Sequence, residues 1–289
     1  MQLKNGLGHL SYSTLVHLGD TWAEMNESLR TFVPQVKRRV SPDQPFAVSL
    51  RISAESAKTL TNSPDERASL MAFLKQEDLY VYTVNAFPYG PFKGAVVMER
   101  VYEPDWTTQD RVDYTNSIAD ILAEITPAGI NPSIQTAPLA FKPNVSGEHY
   151  IAAFTRNVFL VVKHLRELEE RTGKRVKLAI EPEPACYLET TDETVAYFKE
   201  RIYSQAGIVE LAQVAGIPLS EAEGAIRRYL GIVFDIGHQS VLKTSPSRSP
   251  SCVTPASQSS SCRRLRHSGL RTSPWRRLPR SAGLQTPST

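Results

Sequence analysis

The sequence predicts a parallel α/β fold, on the evidence of how its apolar residues are spaced. Short apolar runs rich in β-branched and aromatic residues alternate with longer segments of helical periodicity. This alternation implies parallel strands joined by right-handed helical crossovers. The 289 residues, 41% of them hydrophobic, suffice for one large domain or two small ones with a sizeable core.

The first half of the chain contains three predicted strand–helix units. A strand is expected over 12–18, where Gly19 and Asp20 end the apolar run. A helix over 20–40 follows, capped by Asp20 or Thr21 and interrupted by Pro34. The next predicted segments are a strand over 46–53, a helical region over 54–79 interrupted near 62–64, a strand over 79–87 and a helix over 107–125.

The second half adds three more strands with their helices. The predicted segments are a strand over 133–141, a helix over 148–173 closed by Gly173, a strand over 175–184, a helix over 190–202, a helix over 218–230 and a strand over 231–241. The spacing Ser220-x-x-Glu223 is typical of a capping box at the start of the last helix.

Two architectures are compatible with six strand–helix units: a (β/α)8 barrel and a doubly wound sheet. The phosphate-loop signatures that favour a doubly wound nucleotide-binding sheet are absent from the sequence. Units of roughly 30–45 residues suit a barrel of about 250 residues, but six units do not close an eight-stranded barrel. We therefore expect an incomplete (β/α)8 barrel over residues 1–242.

The last 47 residues, 243–289, differ from the rest in composition. They contain 12 Ser, 8 Arg, 6 Pro and no acidic residue, and they cannot bury enough apolar surface to offset the entropy of ordering. Three interpretations remain open: a disordered basic arm for nucleic acid, a disordered linker, and an out-of-frame reading of the gene. The abrupt change within an incomplete barrel favours the out-of-frame reading.

Charge and cysteine content restrict the class of protein. The formal net charge of +3 comes from the tail, because the first 242 residues hold 24 Lys and Arg against 30 Asp and Glu. Nucleic-acid binding is therefore not expected of the body. Cys186 is the only cysteine before the tail, which indicates a reducing compartment. With no signal-peptide pattern and no run of 18 apolar residues, we expect a cytoplasmic protein without a membrane span.

Polar residues follow several predicted strands, at the ends where barrel active sites form. These residues are His17, Asn85, Gln135, Lys142, Glu181, Glu183, Asp235 and His238. We predict that His17 is catalytic and that Asn85 and Lys142 bind substrate. His9 is about 26 Å from His17 along an extended strand, so only one of the two histidines can lie at the active end.

Two pairs among these residues indicate a metal site. Glu181 and Glu183 are two apart, so on a strand both side chains face the same way. Buried carboxylates of this kind need a partner or a cation, although both can instead be solvated beyond the strand end. Asp235 and His238 offer a carboxylate and an imidazole, a common ligand set for Zn²⁺, Mn²⁺ or Fe and less so for Mg²⁺. The spacing Asp-x-x-His is weak evidence alone and stronger beside Glu181.

The segment after the third strand is rich in aromatic residues. It reads Phe87-Pro-Tyr89-Gly-Pro-Phe92, and we predict that Tyr89 contacts a ligand there. A rigid turn packed over the barrel mouth explains the same residues equally well.

The motifs AIEPEP at 179–184 and FDIGHQSV at 234–241 resemble the xylose-isomerase-like barrels. That superfamily includes sugar isomerases, sugar epimerases and type IV apurinic endonucleases. The resemblance implies that Glu181 and Asp235 are ligands of a divalent metal (Zn, Mn or Mg) and that His238 is a ligand or a substrate contact. In the sugar-isomerase relatives, strands seven and eight supply further ligands, but residues 243–289 stand in their place here.

Longer motifs resemble the EboE family of bacterial barrel proteins. They are HLSYSTLVHLGDTWAEM, NAFPYGPFKG, VYEPDWTTQDRVDYT and LAIEPEPACYLETTDET, and the resemblance covers residues 9–241. It implies a role in the movement of metabolite precursors, with a small-molecule metabolite and other Ebo proteins as partners, and it supplies no reaction.

Three functions are compatible with these observations. The first is a metal-dependent isomerase or epimerase in which Glu183 moves a proton. The second is a non-catalytic carrier of a metabolite precursor. The third, an apurinic-endonuclease-like enzyme, ranks last because the body is acidic.

Overall fold

The structure, a computed structural model, describes residues 1–90 and 101–244, the last four of these as backbone only. Six parallel strands form one sheet in the order β1-β2-β3-β4-β5-β6. The strands are β1 Ser11–Ser13, β2 Phe46–Arg51, β3 Leu79–Asn85, β4 Ser133–Thr136, β5 Lys177–Ile180 and β6 Leu230–Ile232.

Each strand is followed in the chain by one or more helices. They are α1 Trp22–Val40, α2 Ala54–Asn62, α3 Pro64–Gln76, α4 Gln109–Ile125, α5 Glu148–Thr172, α6 Thr191–Tyr197, α7 Gln205–Ala215, α8 Leu219–Tyr229 and α9 Ile236–Thr244. A doubly wound sheet reverses its strand order, whereas a barrel keeps the strands in chain order. The strand order therefore confirms the predicted α/β fold, with six units arranged as in a (β/α)8 barrel.

The core lies between the sheet and the helices. Val81, Ile134 and Ile180 on the strands are fully buried and belong to one cluster with Ile118 of α4 and Val158 of α5. The opposite face of the sheet is polar: Tyr82 on β3 donates a hydrogen bond to Ser11 Oγ on β1 across β2, at 3.3 Å.

Several predicted helix ends are confirmed by the hydrogen bonds at them. Thr21 caps α1 in a capping box with Glu24. Gly173 closes α5 in the left-handed conformation, with φ of 71°. The box predicted from Ser220 is wrong, because α8 begins one residue earlier, at Leu219, and makes no side-chain cap. Helix α7 was not predicted, and the helix predicted over 190–202 ends in a π-helical turn, Phe198–Ile202.

All six strands are shorter than predicted, and for β1 and β6 the hydrogen bonds show why. Strand β1 ends at Ser13, whose hydroxyl accepts a hydrogen bond from the Leu15 amide and begins a 3-10 turn over Thr14–Val16. Strand β6 ends at Ile232, and α9 replaces the rest of the strand predicted over 231–241. Asp235 causes this change by accepting a hydrogen bond from the His238 amide at 3.0 Å, in the manner of a helix cap.

From residue 245 onward, the predicted tail over 243–289 lies outside the described residues. Residues 91 and 92, which end the aromatic segment, also lie outside them. Within the parts that are described, no helix is long and apolar enough to cross a membrane.

Candidate metal centre

Adjacent strands bring the three predicted metal ligands together. Glu181 follows the last residue of β5, Asp235 lies three residues beyond β6, and His238 is in the first turn of α9. Strands β5 and β6 pair with Ile180 opposite Ile232, so both chains leave the sheet at the same edge. One ligand atom from each of the three residues lies within 4.8 Å of the other two.

The distances from the His238 imidazole to the two carboxylates suit ligands of one cation better than direct hydrogen bonds. His238 Nδ1 is 3.6 Å from Glu181 Oε1 and 3.9 Å from Asp235 Oδ2, beyond ordinary hydrogen-bond length. The same nitrogen is buried and has no hydrogen-bond partner. Two ligands of one ion, at bond lengths of about 2.1 Å, lie roughly 3.0–3.6 Å apart. The three residues could therefore hold a divalent metal ion after a small contraction.

Each carboxylate in the cluster uses its second oxygen for a hydrogen bond within the protein. Gln135 Nε2 on β4 donates to Glu181 Oε2, and the His238 amide donates to Asp235 Oδ1. This leaves Glu181 Oε1 and Asp235 Oδ2 facing the imidazole. The sequence analysis identified Gln135 as a polar residue near the end of a predicted strand, but no motif predicted its contact with Glu181.

The electrostatics of the cluster also favour a cation. Glu181 is only 6% exposed, and burial raises its pKa despite the hydrogen bond from Gln135 and the nearby His238. Burial, together with the charges of Glu181 and Asp235, raises the pKa of Glu183 to about 7, although His238 acts in the opposite direction. A bound cation would stabilise these three interacting carboxyl groups.

Glu183 is held by a tight turn next to this cluster. Its amide donates to Leu188 O at 3.0 Å, and its carbonyl accepts from the Cys186 amide at 3.2 Å. Ala185 in the same turn has a positive φ of 67°. Burial raises the pKa of the Cys186 thiol to about 12, against the effect of a hydrogen bond with Tyr102. The turn thus fixes the backbone that carries Glu183.

A row of three half-buried aromatic rings lies beside this turn. Tyr102 stacks on Phe87 at 5.5 Å and on Phe141 at 5.7 Å between ring centroids. Phe141 also forms an isolated antiparallel bridge with Cys186. The row therefore connects the segments that follow β3, β4 and β5.

Asn85 lies at the same edge of the sheet as the cluster. It is the last residue of β3 and pairs in register with Gln135 on β4. Its side chain is nearly buried and accepts a hydrogen bond from the Phe87 amide at 3.2 Å. The predicted substrate-binding position thus adjoins the residue that contacts Glu181.

Three other predicted site residues lie in different surroundings. His17 bonds the Tyr12 hydroxyl at 2.9 Å, packs against Phe32 of α1, and is not a member of the metal-binding group. The ring of Tyr89 packs on Tyr114 of α4 and lies near the guanidinium of Arg111.

Lys142 forms ion pairs with Glu189 and Glu193, both at 2.9 Å. These bonds tie the segment after β4 to the start of α6. The catalytic role of His17 and the ligand contacts of Tyr89 and Lys142 remain predictions.

No family model and no curated protein matches the chain. Among solved structures, the chain is similar to a xylose isomerase-like TIM barrel protein from Mycobacterium smegmatis in complex with magnesium, with 14% identity, a TM-score of 0.39 and 62% of this chain covered. The match covers 53% of that protein, so this chain spans about half its length. It is also similar to 3-keto-D-glucoside 4-epimerase from E. coli, with 13% identity, a TM-score of 0.36, and 81% of this chain and 97% of the other covered.

Proposed function

We propose that this protein is a metal-dependent isomerase or epimerase of a small polyhydroxylated carbonyl compound. The observation that carries the proposal is the buried His238 Nδ1, which lacks a hydrogen-bond partner and faces one oxygen each of Glu181 and Asp235. Imidazole suits Zn²⁺ and carboxylate suits Mg²⁺ or Mn²⁺, so these three ions are the candidates.

The residues around the cluster have separate roles in this reaction. Glu181, Asp235 and His238 hold the ion, whose chemistry at such a site is polarisation of a carbonyl oxygen. Glu183 lies beside the cluster, where its carboxylate can take a proton from the carbon next to the carbonyl and return it. Asn85, at the same edge of the sheet, would orient a substrate hydroxyl.

The finer proposal is that this chemistry serves the movement of a metabolite precursor, as in the EboE family. It rests on the long sequence motifs over residues 9–241, and it includes a cytoplasmic location and other Ebo proteins as partners.

Metal analysis tests the proposed centre. Purified protein dialysed against Mn²⁺ should retain about one ion per chain. Glu181→Ala and Asp235→Ala should each lose it, because either change removes a charged ligand. Glu55→Ala on the exposed side of α2 is the matched carboxylate control and should bind normally. Equal Mn²⁺ retention by all four proteins would refute the centre.

Proton exchange tests the reaction class. Keto sugars incubated with the Mn²⁺-loaded protein in D2O should lose the NMR signal of the proton next to the carbonyl, and Glu183→Gln should abolish the loss. Exchange at the same rate in Glu183→Gln would remove that residue from the mechanism.

A second candidate function is a non-catalytic carrier, and the aromatic row of Phe87, Tyr102 and Phe141 favours it. Stacked half-buried rings provide an apolar wall for a ligand without any chemistry. Tight ligand binding by EDTA-treated protein, with no proton exchange in the loaded form, would support the carrier over the enzyme.

A further inference from the structure

The side chain of Gln135 contacts one of the proposed metal ligands, Glu181, from the neighbouring strand β4. Gln135 is the third residue of β4 and is paired in register with Asn85 on β3 and Ala179 on β5. This register aims its side chain at the residue two beyond Ala179, which is Glu181. Its Nε2 donates a hydrogen bond to Glu181 Oε2.

The hydrogen bond from Gln135 gives the two carboxylate oxygens of Glu181 different partners. Oε2 accepts from the amide, whereas Oε1 faces His238 Nδ1 at 3.6 Å. The Nε2 group of Gln135 is a donor and cannot bind a cation, so it competes with the cation for Oε2. As long as the bond holds, Glu181 offers a cation one oxygen and not two.

We propose that Gln135 is a positioning residue that fixes Glu181 as a one-oxygen ligand and so makes the centre select small ions such as Mn²⁺ over Ca²⁺. This inference rests on the metal centre proposed above. Ca²⁺ takes six to eight oxygen ligands at about 2.3–2.6 Å and often uses both oxygens of a carboxylate. Smaller ions bind at about 2.0–2.2 Å and accept single oxygens and imidazole nitrogen.

Asp235 is restrained in the same way by the main chain. Its Oδ1 accepts from the His238 amide, so it also offers one oxygen, Oδ2. The restraint on Asp235 cannot be removed by changing a side chain, because the donor is a backbone amide. Gln135 is therefore the position at which selectivity can be altered without touching a ligand.

Loss of this donor should loosen Glu181 without removing a ligand. Gln135→Met keeps the length of the side chain and removes both the donor and the acceptor. The freed carboxylate can then turn about its last torsion and present both oxygens. We expect Mn²⁺ binding to weaken about 10- to 100-fold, as for other residues that support metal ligands, while Ca²⁺ binding changes about threefold or less.

The experiment measures dissociation constants for Mn²⁺ and Ca²⁺ in the full chain. Free Mn²⁺ is followed by electron paramagnetic resonance, and Ca²⁺ is titrated against it in competition. Ser133→Ala is the matched control, because Ser133 lies on the same face of β4 and bonds Thr83 at 3.0 Å instead of a metal ligand. It should leave both constants within about threefold.

A second variant protects the test against misfolding. Gln135→Asn keeps the amide but shortens the side chain by one methylene, so the donor no longer reaches Glu181, and it should change selectivity in the same direction. Equal weakening of Mn²⁺ and Ca²⁺, or wild-type affinity for Mn²⁺ in both variants, would overturn the role of Gln135 alone. Failure of the wild-type chain to bind Mn²⁺ would overturn the metal centre and this inference together.

Discussion

Replacing Glu183 with Gln should stabilise the metal-free protein above neutral pH and have a much smaller effect near pH 5. Burial, together with the charges of Glu181 and Asp235, raises the pKa of this carboxyl from 4.5 to about 7. The folded protein therefore holds the proton more tightly than the unfolded chain. The resulting cost to stability grows as the pH rises from about 4.5 to 7 and is constant above that range. Gln resembles the protonated acid and avoids the cost.

The size of the effect follows from the interval between the two pKa values. That interval corresponds to roughly 3 kcal/mol in the free energy of unfolding. Water reaches part of the half-buried carboxyl and screens it, so we expect about 2 kcal/mol at pH 8. For a chain of this length the gain corresponds to a rise of about 4–8 °C in melting temperature.

The assay is urea unfolding of the wild-type protein and Glu183→Gln at pH 5 and pH 8, with EDTA present. Glu193→Gln provides a control of opposite sign. Burial alone would raise the pKa of Glu193, but hydrogen bonds from Lys142 and from two backbone amides lower it. Its carboxylate form is therefore stabilised by folding, and the variant should be less stable than the wild type at pH 8 and closer to it at lower pH. The reasoning would be refuted if the gain in unfolding free energy of Glu183→Gln over the wild type were no larger at pH 8 than at pH 5.

Two further predictions concern the buried Arg111 and the tail. Arg111→Met should lower the free energy of unfolding by about 3 kcal/mol, because the guanidinium donates hydrogen bonds to the carbonyls of Ala86, Phe87 and Pro104. The control is Arg227→Met, at an exposed position, which should change the free energy of unfolding by less than about 0.5 kcal/mol. The coding DNA after codon 242, read in another frame, should encode apolar strand-like runs that end near His, Gln or Glu. The absence of such runs would contradict the out-of-frame origin of residues 243–289.

The local motifs were sufficient to predict the fold class and the three residues that form the candidate metal centre. Glu181 follows the apolar run of one strand, and Asp235 and His238 both follow the apolar run of the next. The three residues therefore come together whenever these two parallel strands are adjacent. The contact of Gln135 with Glu181 joins residues 46 apart and depends on the register between β4 and β5, which no local pattern encodes.

Two of the errors in the sequence prediction, the ends of β1 and β6, have a common physical cause. At Ser13 and at Asp235, a short polar side chain accepts a hydrogen bond from a backbone amide two or three residues later. Each bond ends a strand that the apolar pattern would continue. As a result His17 lies beyond a 3-10 turn, and His238 lies on a helix.

A metal ion at the proposed centre would couple its own binding to the stability of β6 and α9. Ile180 on β5 is fully buried, whereas its register partner Ile232 on β6 is 49% exposed, and Phe234 is 62% exposed. The end of β6 therefore has little apolar support, yet Asp235 and His238 follow it directly in the chain. Glu181 comes from a well-packed strand, so an ion shared by these three residues would attach the weakly packed end of the sheet to the core. A free ion concentration of 100 times the dissociation constant would raise the free energy of unfolding by about 2.7 kcal/mol. We expect most of this stabilisation in α9, where hydrogen exchange should become slower.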